Sequence, residues 1–193
     1  HHPVPPDPRF AADLGFLGNR LPDRERRVEE FFLQVAAARP GRSFLFGGNG
    51  WGDKPRPPNV RYLGHVGTAD HNAFNVTPTA VLNINRESMA RYGFSPPTRV
   101  FEAAGAGACL ITDAWVGIEH FLEPEREVLV AHDGDDVAAQ LDRLAAQPAL
   151  ARAIGQAALR RIQSEHTYAR RAAQVEAALE GEPVAAWAFT ATD

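Results

Sequence analysis

The polar chemistry of this chain concentrates at one helix start. Thr98, Arg99 and Glu102 follow Pro96-Pro97, a pair that ends the preceding structure and leaves a helix free to begin. The run Arg99-Val-Phe-Glu-Ala-Ala-Gly-Ala-Gly107 reads as that helix, broken at Gly105 and Gly107, and Cys109 to Thr112 as a short buried strand ending on Asp113. Such a unit sets free N–H groups and partial positive charge at the carboxyl edge of a sheet, where α/β proteins bind anions. Glu102, one turn inside the helix, is placed to accept hydrogen bonds from paired hydroxyls such as those of a ribose. The layout is that of a nucleotide site.

The elements that must position these residues alternate along the chain. Strands are expected near 13–18, 43–47, 59–64, 80–85, 109–112 and 127–131, each a short apolar run closed by glycine or a polar residue. Between them, Val28, Phe31, Phe32, Val35 and Ala36 recur at helical spacing within 24–39, and Thr68 is the expected cap of a short helix to Asn75. The stretch 87–98 reads as a long connection, and long connections at a strand's carboxyl end are where function sits. The run Asp133-Gly-Asp-Asp136 is expected to cap a helix over 137–146; further helices run from Pro148 to Glu165 and from His166 to Leu179. Strands alternating with helices in this way predict a Rossmann-like, doubly wound parallel sheet of about six strands with helices on both faces. Residues 1–12 read as a proline-rich linker, 13–180 as the folded domain, and 181–193 as a tail anchored at most by Trp187 and Phe189.

Composition excludes several classes. A net charge of −4 argues against a general nucleic-acid or membrane-surface binder. There is no run of ~18 apolar residues to span a bilayer. Lys54 is the sole lysine, so 19 of the 20 basic residues are arginines, and arginine abundance alone says little about phosphate binding. The single cysteine, Cys109, lies in an apolar run and reads as a core residue in a reducing, cytoplasmic setting. His65 and His71 lack the spaced partners of a metal site, so no metal is expected. No Gly-x-Gly-x-x-Gly follows the first strand, which counts against a dinucleotide enzyme.

Arg99-Val-Phe-Glu-Ala-Ala-Gly-Ala-Gly-Ala-Cys-Leu-Ile-Thr-Asp113, followed by Gly117-Ile-Glu-His-Phe-Leu122 and Glu127-Val-Leu-Val130, resembles the C-terminal half of a group 1 glycosyltransferase, most closely the CgeB-like, spore-maturation branch. The resemblance runs from about Asp13 to Leu179. It implies the C-terminal half of a GT-B fold, which holds a nucleoside diphosphate sugar as donor substrate with no tightly bound cofactor. It implies further that a separate N-terminal domain, missing from this chain, binds the acceptor. By the same resemblance, the loop after the first strand, Gly18-Asn19-Arg20 with Arg24, grips the diphosphate together with the N–H groups near Thr98 and Arg99. Gly48 lies beside the donor, His65 and Val66 border the base, and Glu102 takes the ribose; Arg20 and Glu102 are the residues implied in catalysis. Relatives carry a glutamate where this chain has Phe94, and Asn85, Arg86 or Ser95 are candidates to replace it. Two alternatives stay open: a non-catalytic nucleotide-sugar or scaffold module, and another Rossmann-type enzyme such as a sugar-nucleotide epimerase.

Overall fold

The computed structural model describes residues 1–181. Six strands form, β1 (Leu14–Leu17), β2 (Phe44–Gly47), β3 (Val60–Gly64), β4 (Ala80–Asn83), β5 (Leu110–Asp113) and β6 (Leu129–Ala131). All neighbouring pairs are parallel, in the spatial order β3-β2-β1-β4-β5-β6. Near-continuous burial of β1, β2, β4 and β5 explains why their sequences are apolar throughout: a parallel sheet is covered on both faces.

Period-two alternation assigns each strand residue to a layer. Leu14, Phe16, Phe44, Phe46, Leu82 and Ile111 face one core, where Phe32, Val35 and Leu141 meet them; Val81 and Leu110 face the other, with Val100, Ala104, Ala158 and Ile162. The first layer is covered by α1 (Glu25–Val28), a π-helical turn (Glu29–Leu33) and α2 (Gln34–Ala38), which run on as one helix, and by α6 (Gly134–Ala146). The second is covered by α3 (His71–Val76), α5 (Thr98–Ala106) and α7 (Pro148–Glu165); α4 (Glu87–Tyr92) and α8 (Tyr168–Leu179) have no buried residue. Rings of Phe16, Phe32, Phe44 and Phe46 interlock at centroid separations of 5.3–5.8 Å in tilted and edge-on pairs, the favoured aromatic geometries.

Several local expectations change. The connection after β4 contains α4, and Gly105 lies inside α5, which ends instead at Gly107 in the left-handed region (φ 83°). Thr68 opens a 3₁₀ turn without capping it, and α6 begins at Gly134, three residues earlier than its apolar pattern suggests, because Asp133 accepts from the Asp136 N–H. Cys109 is buried, and burial pushes its thiol up to about 12, so it stays protonated and serves as core. Phe10, within the proline-rich opening, is buried against Phe74 with ring centroids 5.6 Å apart. Trp187 and Phe189 lie outside the described residues.

Candidate functional site

Strand order reverses between β1 and β4, since the chain steps outward to β3 and then returns across the sheet. A crevice opens at the carboxyl ends of strands flanking such a reversal. Here it is a cavity of about 250 Å³ lined by Phe16 and Leu17 of β1, Gly18, Asn19, Leu21 and Arg24 in the following loop, Leu82 and Asn83 of β4 with Ile84 just beyond it, and Pro97, Thr98 and Arg99 at the start of α5. Drug-sized ligands fill ~300–1,000 Å³. The cavity therefore suits a fragment such as a diphosphate.

Two guanidiniums converge on it. Arg99 donates to Asn75 Oδ1 at 3.0 Å and to the Leu17 carbonyl at 3.2 Å, and its Nη1 lies 3.3 Å from Glu102. Arg24 donates to the Asn19 carbonyl, lies over the Phe16 ring at 5.8 Å, and leaves a buried Nε without a hydrogen-bond partner. Gly18 makes room for it: a Cβ there would sit 2.9 Å from Arg24 Nη2. Burial lowers both pKa values, and for Arg24 the nearby Arg99 and Arg86 charges lower it further. Two cations thus lie close together in a largely buried crevice, with Glu102 beside Arg99 and the charges of Asp23 and Asp113 acting on Arg24. The N-terminus of α5 adds to this, because Pro97 caps it with no side-chain bond.

Of the residues singled out in the sequence, Gly18, Asn19, Arg24, Thr98 and Arg99 come together in this lining, with Glu102 bonded to its edge through Arg99. Others lie elsewhere. Arg20 is turned away: it donates to Glu25 at 2.6 and 2.8 Å and to Asp53 at 3.0 Å, and with Lys54 it holds the Glu25 carboxyl down to about 2. Gly48 is buried at φ 128°, where a Cβ would fall 2.1 Å from the Gly18 carbonyl, so it lets the ends of β1 and β2 touch. Val66 packs into a third apolar cluster with Phe10, Leu45 and Phe74, while His65 is exposed beside Asn49. Arg86 binds Asp23 at 2.8 Å, and Ser95 is half-buried outside the lining.

The least anticipated feature is a buried polar cluster behind the cavity. Asp113, fully buried, pairs with Arg27 at 2.6 Å and accepts from the Asn85 N–H at 3.1 Å and from Asn83 Nδ2 at 3.4 Å. Burial raises the Asp113 pKa against the pull of Arg27. Asn83 also donates to Thr112 at 3.0 Å, which ties the cavity wall to β5. The signal in the sequence was an acid closing an apolar strand; its arginine partner is 86 residues away and no local pattern announces it. Among the described residues there is no group of three or more His, Cys, Asp or Glu that could hold a metal ion. No helix among them is long and apolar enough to cross a membrane.

Sheet order, layers and cationic crevice define a Rossmann-like α/β domain of the kind that forms each half of a GT-B protein. Residues 24–177 match the Glycosyl transferase-like family, and the chain belongs to it. No curated protein sequence matches. Among solved structures, HepE of Anabaena in complex with UDP-glucose superposes with a TM-score of 0.69 at 12% identity, over 89% of this chain and 49% of that one. The T4 phage protein BGT, in complex with UDP and Mn2+, gives 0.66 at 17% identity over 88% and 47%. The C-terminal domain of the glycosyl transferase group 1 family protein LpcC from Francisella tularensis gives 0.60 at 14% identity over 82% and 87%. The chain thus spans about half of HepE and BGT but most of the single LpcC domain.

Proposed function

We propose that this chain is the donor-binding half of a glycosyltransferase, taking a nucleoside diphosphate sugar whose sugar is passed to an acceptor held by another domain. The observation that carries the reading is the convergence of Arg24, Arg99 and the α5 N-terminus on one cavity at the strand-order reversal. Family membership and the UDP-bound neighbours support it. The CgeB-like branch, suggested by Glu102 and Gly117-Ile-Glu119, is part of the proposal, as is a cytoplasmic setting in keeping with a chain that cannot form an internal disulfide.

In this reading the diphosphate replaces the missing counter-charge between the two arginines. When the bond from sugar to diphosphate breaks, negative charge grows on the leaving oxygen, and prearranged guanidiniums and helix N–H groups stabilise it most where water is excluded. Glu102 exchanges part of its pairing with Arg99 for the two ribose hydroxyls. Arg20, clamped by Glu25 and Asp53, braces the loop that carries Gly18 and Asn19 and acts through them.

Thermal melting with UDP, GDP, TDP, ADP, NAD and S-adenosylmethionine tests this. A ligand at 100 times its dissociation constant adds about 2.7 kcal/mol, a shift of several degrees for a domain this size. We expect a shift with one or more nucleoside diphosphates that Arg99→Ala and Glu102→Ala each reduce. A shift only with NAD or S-adenosylmethionine would overturn the reading.

A further inference from the structure

We propose that Arg27 and Asp113 form a positioning pair that acts through Arg24: together they hold the start of the helix after β1 against the loop after β4 and so keep Arg24 aimed into the crevice. This rests on the donor-site reading above. Arg24 does not fix its own direction. It is the residue before α1, outside the helix at φ −129°, and its side chain bonds only back to its own loop, at the Asn19 carbonyl. The residues on either side of it reach across. Asp23 accepts from Arg86 Nε at 2.8 Å through its carboxylate and from the Glu87 N–H at 2.9 Å through its carbonyl. Three residues beyond Arg24, Arg27 crosses to Asp113 at 2.6 Å, and both oxygens of that carboxylate accept from the Asn85 N–H at 3.1 Å. One carboxylate thus joins the helix start, the end of β5 and the loop after β4, and Asn83, which lines the cavity, donates to it at 3.4 Å.

Stability alone does not ask for this pair. Asp113 is fully buried and Arg27 mostly so, and two ions taken out of water are often no more stabilising than apolar side chains of the same size. Nor is the guanidinium fork fully spent: Nη2 reaches Asp113, while the buried Nε has no hydrogen-bond partner among the described residues. Opposite charges joined by directed hydrogen bonds supply what apolar contact does not, a fixed orientation. Orientation matters at Arg24 because a guanidinium recognises a phosphate through the planar geometry of its fork, and a small displacement of a positioned group is costly.

The test is a double-mutant cycle on UDP affinity, read by NMR titration of this chain. Arg27→Met together with Asp113→Asn removes both charges at once, so no lone ion is left buried, and the asparagine still accepts from the Asn85 N–H. This paired variant is expected to melt cooperatively and to bind UDP roughly three- to tenfold more weakly, a coupling of the size seen between residues of one network. Added to Arg24→Met, the same paired change should cost less than about twofold, because the group it positions is gone. A merely structural pair would cost the same factor in both backgrounds, as would an Arg27 that touches the ligand itself, and either result overturns the proposal. Undiminished affinity in the paired variant does so too, as does a paired variant that no longer folds, which would make the pair a structural requirement. Absence of UDP binding by the unaltered chain would instead overturn the donor-site reading beneath it.

Discussion

Arg24 and Arg99 are charges that the fold works against. Each loses hydration, each lies in the other's field, and Arg24 has no carboxylate among its hydrogen-bond partners. Groups kept in that condition are expected where a ligand supplies the missing charge. Arg24→Met keeps the stem over Phe16 and removes the charge. Its melting temperature without ligand should be unchanged or higher, while UDP affinity falls roughly 10- to 100-fold, the worth of charge-assisted hydrogen bonds; urea unfolding and calorimetry measure the two. His166 gives a pH prediction. Burial first, then the Arg171 charge, lowers its pKa, and its ring meets the Phe121 carbonyl at 3.1 Å through Nε2 and Arg171 Nη2 at 2.6 Å through Nδ1. Since Arg171 donates, Nδ1 is the acceptor and the neutral ring carries its proton on Nε2. A folded pKa below the unfolded one means that this contribution is present above about pH 6.5 and is lost as pH falls through the folded value. Melting temperature should therefore drop between pH 7 and 5, and by less in His166→Gln.

The elements were legible wherever a period was. Strands β1, β2, β4 and β5 announce themselves as apolar runs because both their faces are buried, and α7 as a stripe because one of its faces is. Helix α4 was not, since six residues with none buried are too short to show a period, whereas α8, equally without a buried residue, runs for twelve. The site divides in the same way. Proline before Thr98 marked the mouth of α5, but nothing in the spacing of Arg20, Arg24, Arg26 and Arg27 tells which turns to the cavity, which to Asp53 and which to Asp113. That depends on where Gly18 leaves space for a guanidinium, a tertiary fact. The same logic gives an element-scale prediction. Gly155 lets α7 press onto the end of α5, and a Cβ there would lie 2.2 Å from the Gly107 carbonyl, which is backbone and cannot swing aside. Gly155→Ala should raise helix propensity yet destabilise the domain by about 1–3 kcal/mol or more through overpacking, read from the urea midpoint. Unchanged stability would mean that the two helices are free to separate.

At the scale of the molecule, the chain has a cationic crevice at the strand-order reversal and about half the length of HepE and BGT. In the proposed reading the cavity of about 250 Å³ takes the diphosphate and leaves the sugar at its mouth. Glycosyl transfer needs the acceptor hydroxyl oriented against the sugar, and such positioning is worth up to ~7–11 kcal/mol of barrier. In that reading the groups gathered here address the donor and leave the acceptor to another domain. The chain alone should thus bind UDP-glucose without passing glucose to an acceptor, and its hydrolysis of the donor should stay close to the uncatalysed rate. Joined to a preceding acceptor-binding domain, the same crevice should support transfer, and Arg99→Ala should lower kcat/KM at least tenfold in that longer protein. Coupled detection of released UDP, run on both forms, decides the matter. Transfer by the chain alone at the rate of the longer protein would mean that its carboxyl edge already binds acceptor, and the division of labour between two halves would fall.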